Sequence, residues 1–189
     1  MRVHLHAIAS SAAAAAEVAA AAAQGWGSVA LDTVTTSCAA ATWPSPAQPG
    51  AYLADAGSGG GPALGGGGQA ISLTPRGPAP VPRLEEDVEL VVAVTPLVDH
   101  NTGGPLDPSN LTALAAAAAE LAVPLVVIAG RCEAARREYA SVPIHHVLSL
   151  SVDDVRPADG KEDDVSPAAA LQAAARIART WSTGERVQA

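Results

Sequence analysis

The feature that most constrains the fold is the run over residues 88–94, which is apolar at every position except Glu89. Strands of an antiparallel sheet commonly alternate apolar and polar residues, because one face of the sheet meets solvent. A nearly continuous apolar run is typical of a strand that helices cover on both faces. The run therefore predicts an inner strand of a parallel sheet.

The segments that follow this run alternate between helical and strand patterns. Asp107-Pro108 and Ser166-Pro167 provide the capping residues of two helix starts. Such alternation is typical of parallel strands joined by helical crossovers. We therefore predict an α/β fold of three layers, in which a mostly parallel, Rossmann-like sheet lies between helices. The elements predicted here are a helix over 109–121, a strand over 124–129, a helix over 133–139, a strand over 144–150 and a helix over 167–181.

The first half of the chain is less regular. Residues 37–69 are rich in Gly, Pro, Ser and Ala, which predicts a surface loop. A proline-rich connector spans 75–87. We expect residues 1–189 to form a single domain around one core. The elements predicted in this half are a strand over 3–8, an alanine-rich helix over 12–24 that stops at Gly25, a strand over 29–35 and a short strand over 70–74.

Charge and cysteine content exclude several classes of function. The formal net charge of −8 disfavours binding to nucleic acid or to an anionic membrane surface. Glu120 and Pro124 interrupt the apolar stretch over 111–130, so we interpret it as a helix and a strand rather than a membrane span. Two cysteines, Cys38 and Cys132, are too few for a zinc site and predict reduced thiols in a cytoplasmic protein.

The histidines of the predicted strands were considered as metal ligands. His4 and His6 share one face of the first strand, because alternate residues of a strand point to the same side. They have no carboxylate or cysteine nearby in the sequence, so we interpret them as a partly buried pair. His145 and His146 point to opposite faces and cannot hold one ion together. We therefore predict no metal site.

Three stretches of sequence carry a resemblance to a known family. VPLVVIAGRCEAARREYASVPIHHVLSLSVDD starts at Val123, and SPAAALQAAARIARTWS starts at Ser166. Their order and spacing resemble the C-terminal part of the glycerate kinase family. LADAGSGGGPAL, from Leu53, resembles the Leu-Ala-Asp-Gly-Gly-Glu-Gly turn of that family. The resemblance implies phosphorylation of D-glycerate or a similar hydroxy acid, with Mg-ATP as the cofactor.

The resemblance also implies which residues form the site. Either Asp99 or Asp107 matches a family aspartate, and each match needs a gap. Asp107 has a simpler interpretation as a helix N-cap, and Asp99 as a solvated loop acid. Asp55 would serve equally as a turn former before glycine. The predicted site consists of Asp55 and Asp99 as catalytic residues and of Gly57, Gly59, Thr95, Gly103 and Gly104 as binding residues for nucleotide or substrate.

The chain departs from the family at several motifs. Residues 7–11 read AIASS where the family has an Asp-Ser-Phe-Lys-Gly motif, and a later glutamate and lysine are also missing. The connector over 75–87 falls where the family inserts a second lobe. Phosphoryl transfer depends on cations that neutralise the phosphate. We therefore expect a degenerate member with weak or no kinase activity.

Two other functions stay open at this point. The chain has no phenylalanine and draws much of its apolar content from alanine, which predicts a thin core. A thinly covered sheet suits a binding or regulatory partner, either as a homo-oligomer or with a full-length kinase homologue. The alternative is a free-standing domain that binds a small anion.

Overall fold

The described part of the chain folds around one parallel sheet. A computed structural model describes residues 1–41, 80–102, 107, 109–140, 142–150 and 164–182. Within them, five parallel strands lie in the order β2-β1-β3-β4-β5. The elements in chain order are β1 (Arg2–Ala9), α1 (Ala12–Gly27), β2 (Thr33–Ala40), β3 (Leu90–Val98), α2 (Leu111–Glu120), β4 (Leu125–Cys132), β5 (His146–Ser149) and α3 (Pro167–Ser182).

Helices cover both faces of this sheet. Successive strand residues point to opposite faces, which divides the core into two clusters. On the first face, α1 and α3 pack over residues such as Leu5, Val92 and Ile128. On the second face, α2 packs over residues such as Val91 and Val127. The predicted α/β fold of three layers is therefore confirmed.

The apolar run singled out in the sequence belongs to β3, the middle strand. β3 pairs with β1 through Val3↔Leu90 and with β4 through Val91↔Leu125. Every residue of β3 except Leu97 is buried. The strand begins two residues later than the predicted 88–94, because the Val88 amide donates to Glu85 O at 3.2 Å in a turn, and it ends four residues later.

α1 and α3 pack unusually closely on the first face. An alanine Cβ at Gly25 would lie 2.0 Å from the carbonyl oxygen of Leu171, in α3. Gly25 is therefore an interior helix residue that lets two backbones meet, and the prediction that the helix stops there was wrong. The helix continues to Gly27. Trp26 is fully buried in the first-face core, and its Nε1 donates to Asp32 Oδ2 at 3.0 Å.

The second strand lies later in the sequence than the predicted 29–35. The amides of Val29 and Ala30 both donate to the carbonyl oxygen of Trp26, at 3.0 Å each, and so form the turn that ends α1. β2 therefore starts at Thr33 and continues to Ala40. The loop predicted over 37–69 consequently starts too early, and most of it lies outside the described residues.

The helix predicted over 133–139 is replaced by turns. The amide of Glu133 still donates to Val98 O at 2.8 Å, so the strand ladder continues to the point where the helix was expected. Beyond it, Val142 and Ile144 are buried in the second-face cluster. Their burial draws the chain onto the sheet and leaves the segment as a turn.

The remaining predicted elements have mixed outcomes. The closing helix is confirmed as α3. The helix predicted over 109–121 is α2, which starts two residues later and ends one residue earlier than predicted. The stretch over 111–130 divides into α2 and β4, as predicted. The strand predicted over 70–74 lies outside the described residues. Residues 80–87 of the connector form neither helix nor strand.

In the part of the chain that the structure describes, helices fall short of the length and apolar character that crossing a membrane would demand.

Candidate functional site

The strand order reverses beside β1, and this reversal marks the candidate site. β2 lies on one side of β1 and β3 lies on the other. In open α/β sheets, ligands bind outside the carboxyl ends of the strands at such a reversal. The loop after β1 starts at Ser10, and the loop after β3 starts at Asp99. We name residues 10–11, 99–102 and 164–165 the switch-point edge.

Ser10 is held by a carboxylate from the far end of the sequence. Its amide donates to Asp164 Oδ1 at 2.9 Å, and its hydroxyl donates to Asp164 Oδ2 at 2.6 Å. The next residue, Val165, is buried, and its Cγ2 would lie 3.3 Å from a Cβ built at Gly130. The segment that leads into α3 therefore contacts both the loop after β1 and the end of β4.

α1 begins at this edge. Ser11 is its N-cap, and the Ser11 hydroxyl accepts a hydrogen bond from the Ala14 amide at 3.1 Å. The positive end of the helix dipole therefore faces the switch-point edge, where it favours a bound anion or carboxylate.

Asp99 orders the loop that it starts. Its carboxylate accepts from the Asn101 amide at 2.8 Å, from Asn101 Nδ2 at 3.0 Å and from the Thr102 amide at 3.2 Å. The Asp99 amide in turn donates to Thr102 Oγ1 at 2.9 Å. This is an Asx-type turn, in which a side chain replaces a backbone acceptor. The structure thus gives Asp99 a loop-forming role at the carboxyl end of β3.

Thr95 lies inside the sheet rather than in the loop. Its side chain has no exposed surface, and its hydroxyl donates to Leu97 O at 3.4 Å. It stands three residues before the end of β3. In this arrangement Thr95 contributes to the strand and not to the surface that a ligand would meet.

Asp107, the alternative match for the family aspartate, lies before α2 and binds the first amide of that helix. Its carboxylate accepts from the Ser109 amide at 2.9 Å, from the Ser109 hydroxyl in a short contact and from the Leu111 amide at 3.3 Å. Only 6% of its surface is exposed. Asn110, between these residues, adopts a left-handed conformation with φ 55°, which asparagine tolerates. The N-cap of α2 is Asn110, so the prediction of Asp107 as the N-cap residue was wrong, although its carboxylate accepts from Leu111, the first residue of the helix.

Replacing Asp107 by alanine is expected to destabilise the fold by about 2 kcal/mol or more, because buried donors lose their acceptor. Asp107→Asn keeps one acceptor oxygen, so its loss should be clearly smaller. Urea unfolding of both variants measures the difference. Equal midpoints for the alanine variant and the native chain would contradict the role of Asp107 as that acceptor.

The other predicted site residues have no described placement. Asp55, Gly57, Gly59, Gly103 and Gly104 all lie outside the described residues. The switch-point edge therefore carries Asp99 at the end of β3 and the contact of Ser10 with Asp164 at the end of β1. Sequence reasoning did not select Ser10 or Asp164. The acidic run that ends at Asp164, two residues before the Ser166-Pro167 cap, was the available signal.

The described side chains at this edge are mainly oxygen donors and acceptors. Arg131, near the end of β4, places Nε 3.4 Å from Glu133 Oε1. The one lysine of the sequence, Lys161, lies outside the described residues. Among the residues with described positions, no three histidine, cysteine or acidic side chains gather closely enough to hold a metal ion. The edge is therefore suited to accept hydrogen bonds from a hydroxyl-bearing ligand.

Comparisons with known proteins were made for the whole chain. Neither a protein family model nor a curated protein matched it.

Proposed function

We propose that the chain is a glycerate kinase-like α/β domain that binds a small hydroxy acid at the switch-point edge and transfers phosphate weakly or not at all. The observation that carries this proposal is the reversal of strand order beside β1, with polar loops after both β1 and β3. That position is where open parallel sheets bind ligands.

The groups at the edge suit the two ends of a hydroxy acid. A carboxylate offers about four acceptor positions, and Ser10 uses two of those on Asp164. The remaining positions suit a ligand hydroxyl. The dipole of α1 favours the ligand carboxylate at the same edge. The proposal therefore assigns hydroxyl recognition to Asp164 and carboxylate recognition to the start of α1.

The charges at the edge support binding more than catalysis. Phosphoryl transfer requires cations that neutralise the developing charge on phosphate. Arg131 shares its guanidinium with Glu133, and residues 7–11 carry no lysine. Loss of one such preorganised group typically costs about 3 kcal/mol of transition-state stabilisation. A sensor or a regulatory partner of a longer kinase is consistent with these charges.

Calorimetry with D-glycerate and with Mg-ATP, together with a coupled assay for ADP, tests the proposal. We expect D-glycerate to bind, and ADP release to stay far below the roughly 1–100 per second of active kinases. Asp164→Asn should weaken D-glycerate binding about tenfold or more, because a neutral amide is a poorer acceptor for a hydroxyl. Glu17→Gln, an exposed acid on α1, is the matched control and should bind like the native chain.

Three results would contradict different parts of the proposal. If calorimetry detects no binding of D-glycerate, the proposed hydroxy-acid site is wrong. ADP release at a normal kinase rate would show an active enzyme and would contradict the prediction of weak or no kinase activity. Equal affinities for Asp164→Asn and the native chain would move the binding site away from Asp164.

A further inference from the structure

Two buried histidines tie β1 to the edge strand β2. His4 and His6 point to the second face of the sheet and are 5% and 2% exposed. His4 Nδ1 lies 3.0 Å from Thr35 Oγ1, and His4 Nε2 lies 2.8 Å from Ser37 Oγ. His6 Nδ1 lies 2.8 Å from the same Ser37 oxygen. Both imidazoles therefore converge on one hydroxyl of β2.

One assignment of hydrogens, with both rings neutral, satisfies every contact of this network. Thr35 Oγ1 donates to the carbonyl oxygen of Val3 at 3.4 Å, so it accepts from His4 Nδ1–H. A neutral His4 then has an unprotonated Nε2, which accepts from the Ser37 hydroxyl. Ser37 in turn accepts from His6 Nδ1–H. With both rings neutral, every group in the network has one consistent role.

A first proton fits this network without breaking it. If His4 takes the proton, Nδ1–H still donates to Thr35 and Nε2–H now donates to Ser37 Oγ. The Ser37 hydroxyl then donates to His6 Nδ1, which requires only that His6 adopt its other tautomer. The same contacts survive, with the donors reversed between Ser37 and its two partners.

A second proton does not fit. With both rings charged, His4 and His6 each donate to Ser37 Oγ, and the Ser37 hydroxyl loses its acceptor. The two imidazolium rings also repel each other across one oxygen. The second proton therefore costs a hydrogen bond and adds charge repulsion at the β1–β2 junction.

The surroundings do not neutralise a doubly charged pair. β3 presents Val91 and Ala93 opposite His4 and His6. The charged group that acts on His4 from the connector is Glu85, which raises its pKa against the larger lowering by burial. Arg2 Nη1 in turn lies 3.5 Å from Glu85 Oε2 and shares that carboxylate. His6 faces the ring of His4, and burial and His4 together lower its pKa to about 4.

We propose that His4, Ser37 and His6 form a two-step proton sensor that holds β2 on β1 with none or one proton bound and releases β2 when both histidines are charged. β2 is the edge strand, joined to the described sheet through β1. Its release leaves the β1–β3–β4 pairing in place. The device is therefore a local, acid-triggered opening of one edge.

Amide hydrogen exchange of the native chain tests this proposal strand by strand. Protection factors are measured by NMR from about pH 7 down to about pH 4. Relative to residues 126–128 of β4, the amides of Thr35 and Ser37, which face β1, should lose protection about tenfold or more. Equal losses in β2 and β4 would mean global unfolding and would overturn the local opening.

A matched pair of variants assigns the effect to the histidines. His6→Asn places an amide near the position of Nδ1 and removes the second titrating ring, so the preferential loss in β2 should vanish. His146→Gln, on the exposed β5 strand, should keep that loss in full. A His6→Asn variant that still loses β2 protection as the native chain does would overturn the proposal. The comparison of β2 with β4 in the native chain tests it independently of the variant.

Discussion

Replacing Gly25 by alanine is expected to lower the free energy of unfolding by about 3 kcal/mol, at the upper end of the cost of overpacking a core. The new Cβ would lie 2.0, 2.7 and 2.9 Å from the carbonyl oxygen, carbonyl carbon and Cα of Leu171. All three are backbone atoms of α3, so no side-chain rotation can relieve the clash. The two helices must separate, and the alanine-rich interface between them opens.

Gly27→Ala is the matched control for this prediction. Gly27 lies two residues later in the same helix, and a Cβ there would meet nothing within 4 Å. Alanine is a better helix former than glycine by about 1 kcal/mol in a helix interior, so this variant should be neutral or slightly stabilised. Thermal and urea unfolding of both variants provide the measurement. Similar stabilities for the two would show that α1 and α3 do not pack as closely as the structure has them.

The sheet could be predicted because its signal is local. β3 is apolar at consecutive positions, and this pattern needs no knowledge of its neighbours to indicate burial on both faces. The helix predicted over 133–139 failed for the opposite reason. Its sequence, EAARREY, favours a helix locally, but the burial of Val142 and Ile144 and the ladder bond of Glu133 decide its conformation. Tertiary contacts outweighed propensity there.

The candidate site could be predicted only in outline. The position of Asp99 at the carboxyl end of a strand follows from the strand pattern. The contact between Ser10 and Asp164 joins residues 154 positions apart and leaves no periodic trace in the sequence. The same holds for Ser37, whose two histidine partners depend on the register of β1 against β2. Such pairs depend on topology, which local patterns do not encode.

Acidification is expected to lower, through His6, the free energy of unfolding of the native state in which β2 is paired with β1. Burial, reinforced by the nearby ring of His4, lowers the pKa of His6 from 6.5 to about 4. The unfolded chain therefore binds this proton at a higher pH than the folded chain does. The contribution of the neutral His6 to the free energy of unfolding is fully present above about pH 6.5. It is lost as the pH falls towards 4, with a total of about 3 kcal/mol. The pKa of His4 is lowered as well, and it acts in the same direction.

The slope of stability against pH separates this contribution from that of the carboxylates. Side-chain carboxylates elsewhere in the chain also bind protons at low pH, and they add a slope that does not come from the histidines. His6→Asn removes one titrating group and leaves those carboxylates in place, so urea unfolding between about pH 7 and 4 should give a clearly shallower slope than the native chain. His146→Gln should retain the native slope. If His6→Asn and the native chain lose stability in parallel, the buried imidazole is not the source of the acid sensitivity, and the carboxylates alone account for it.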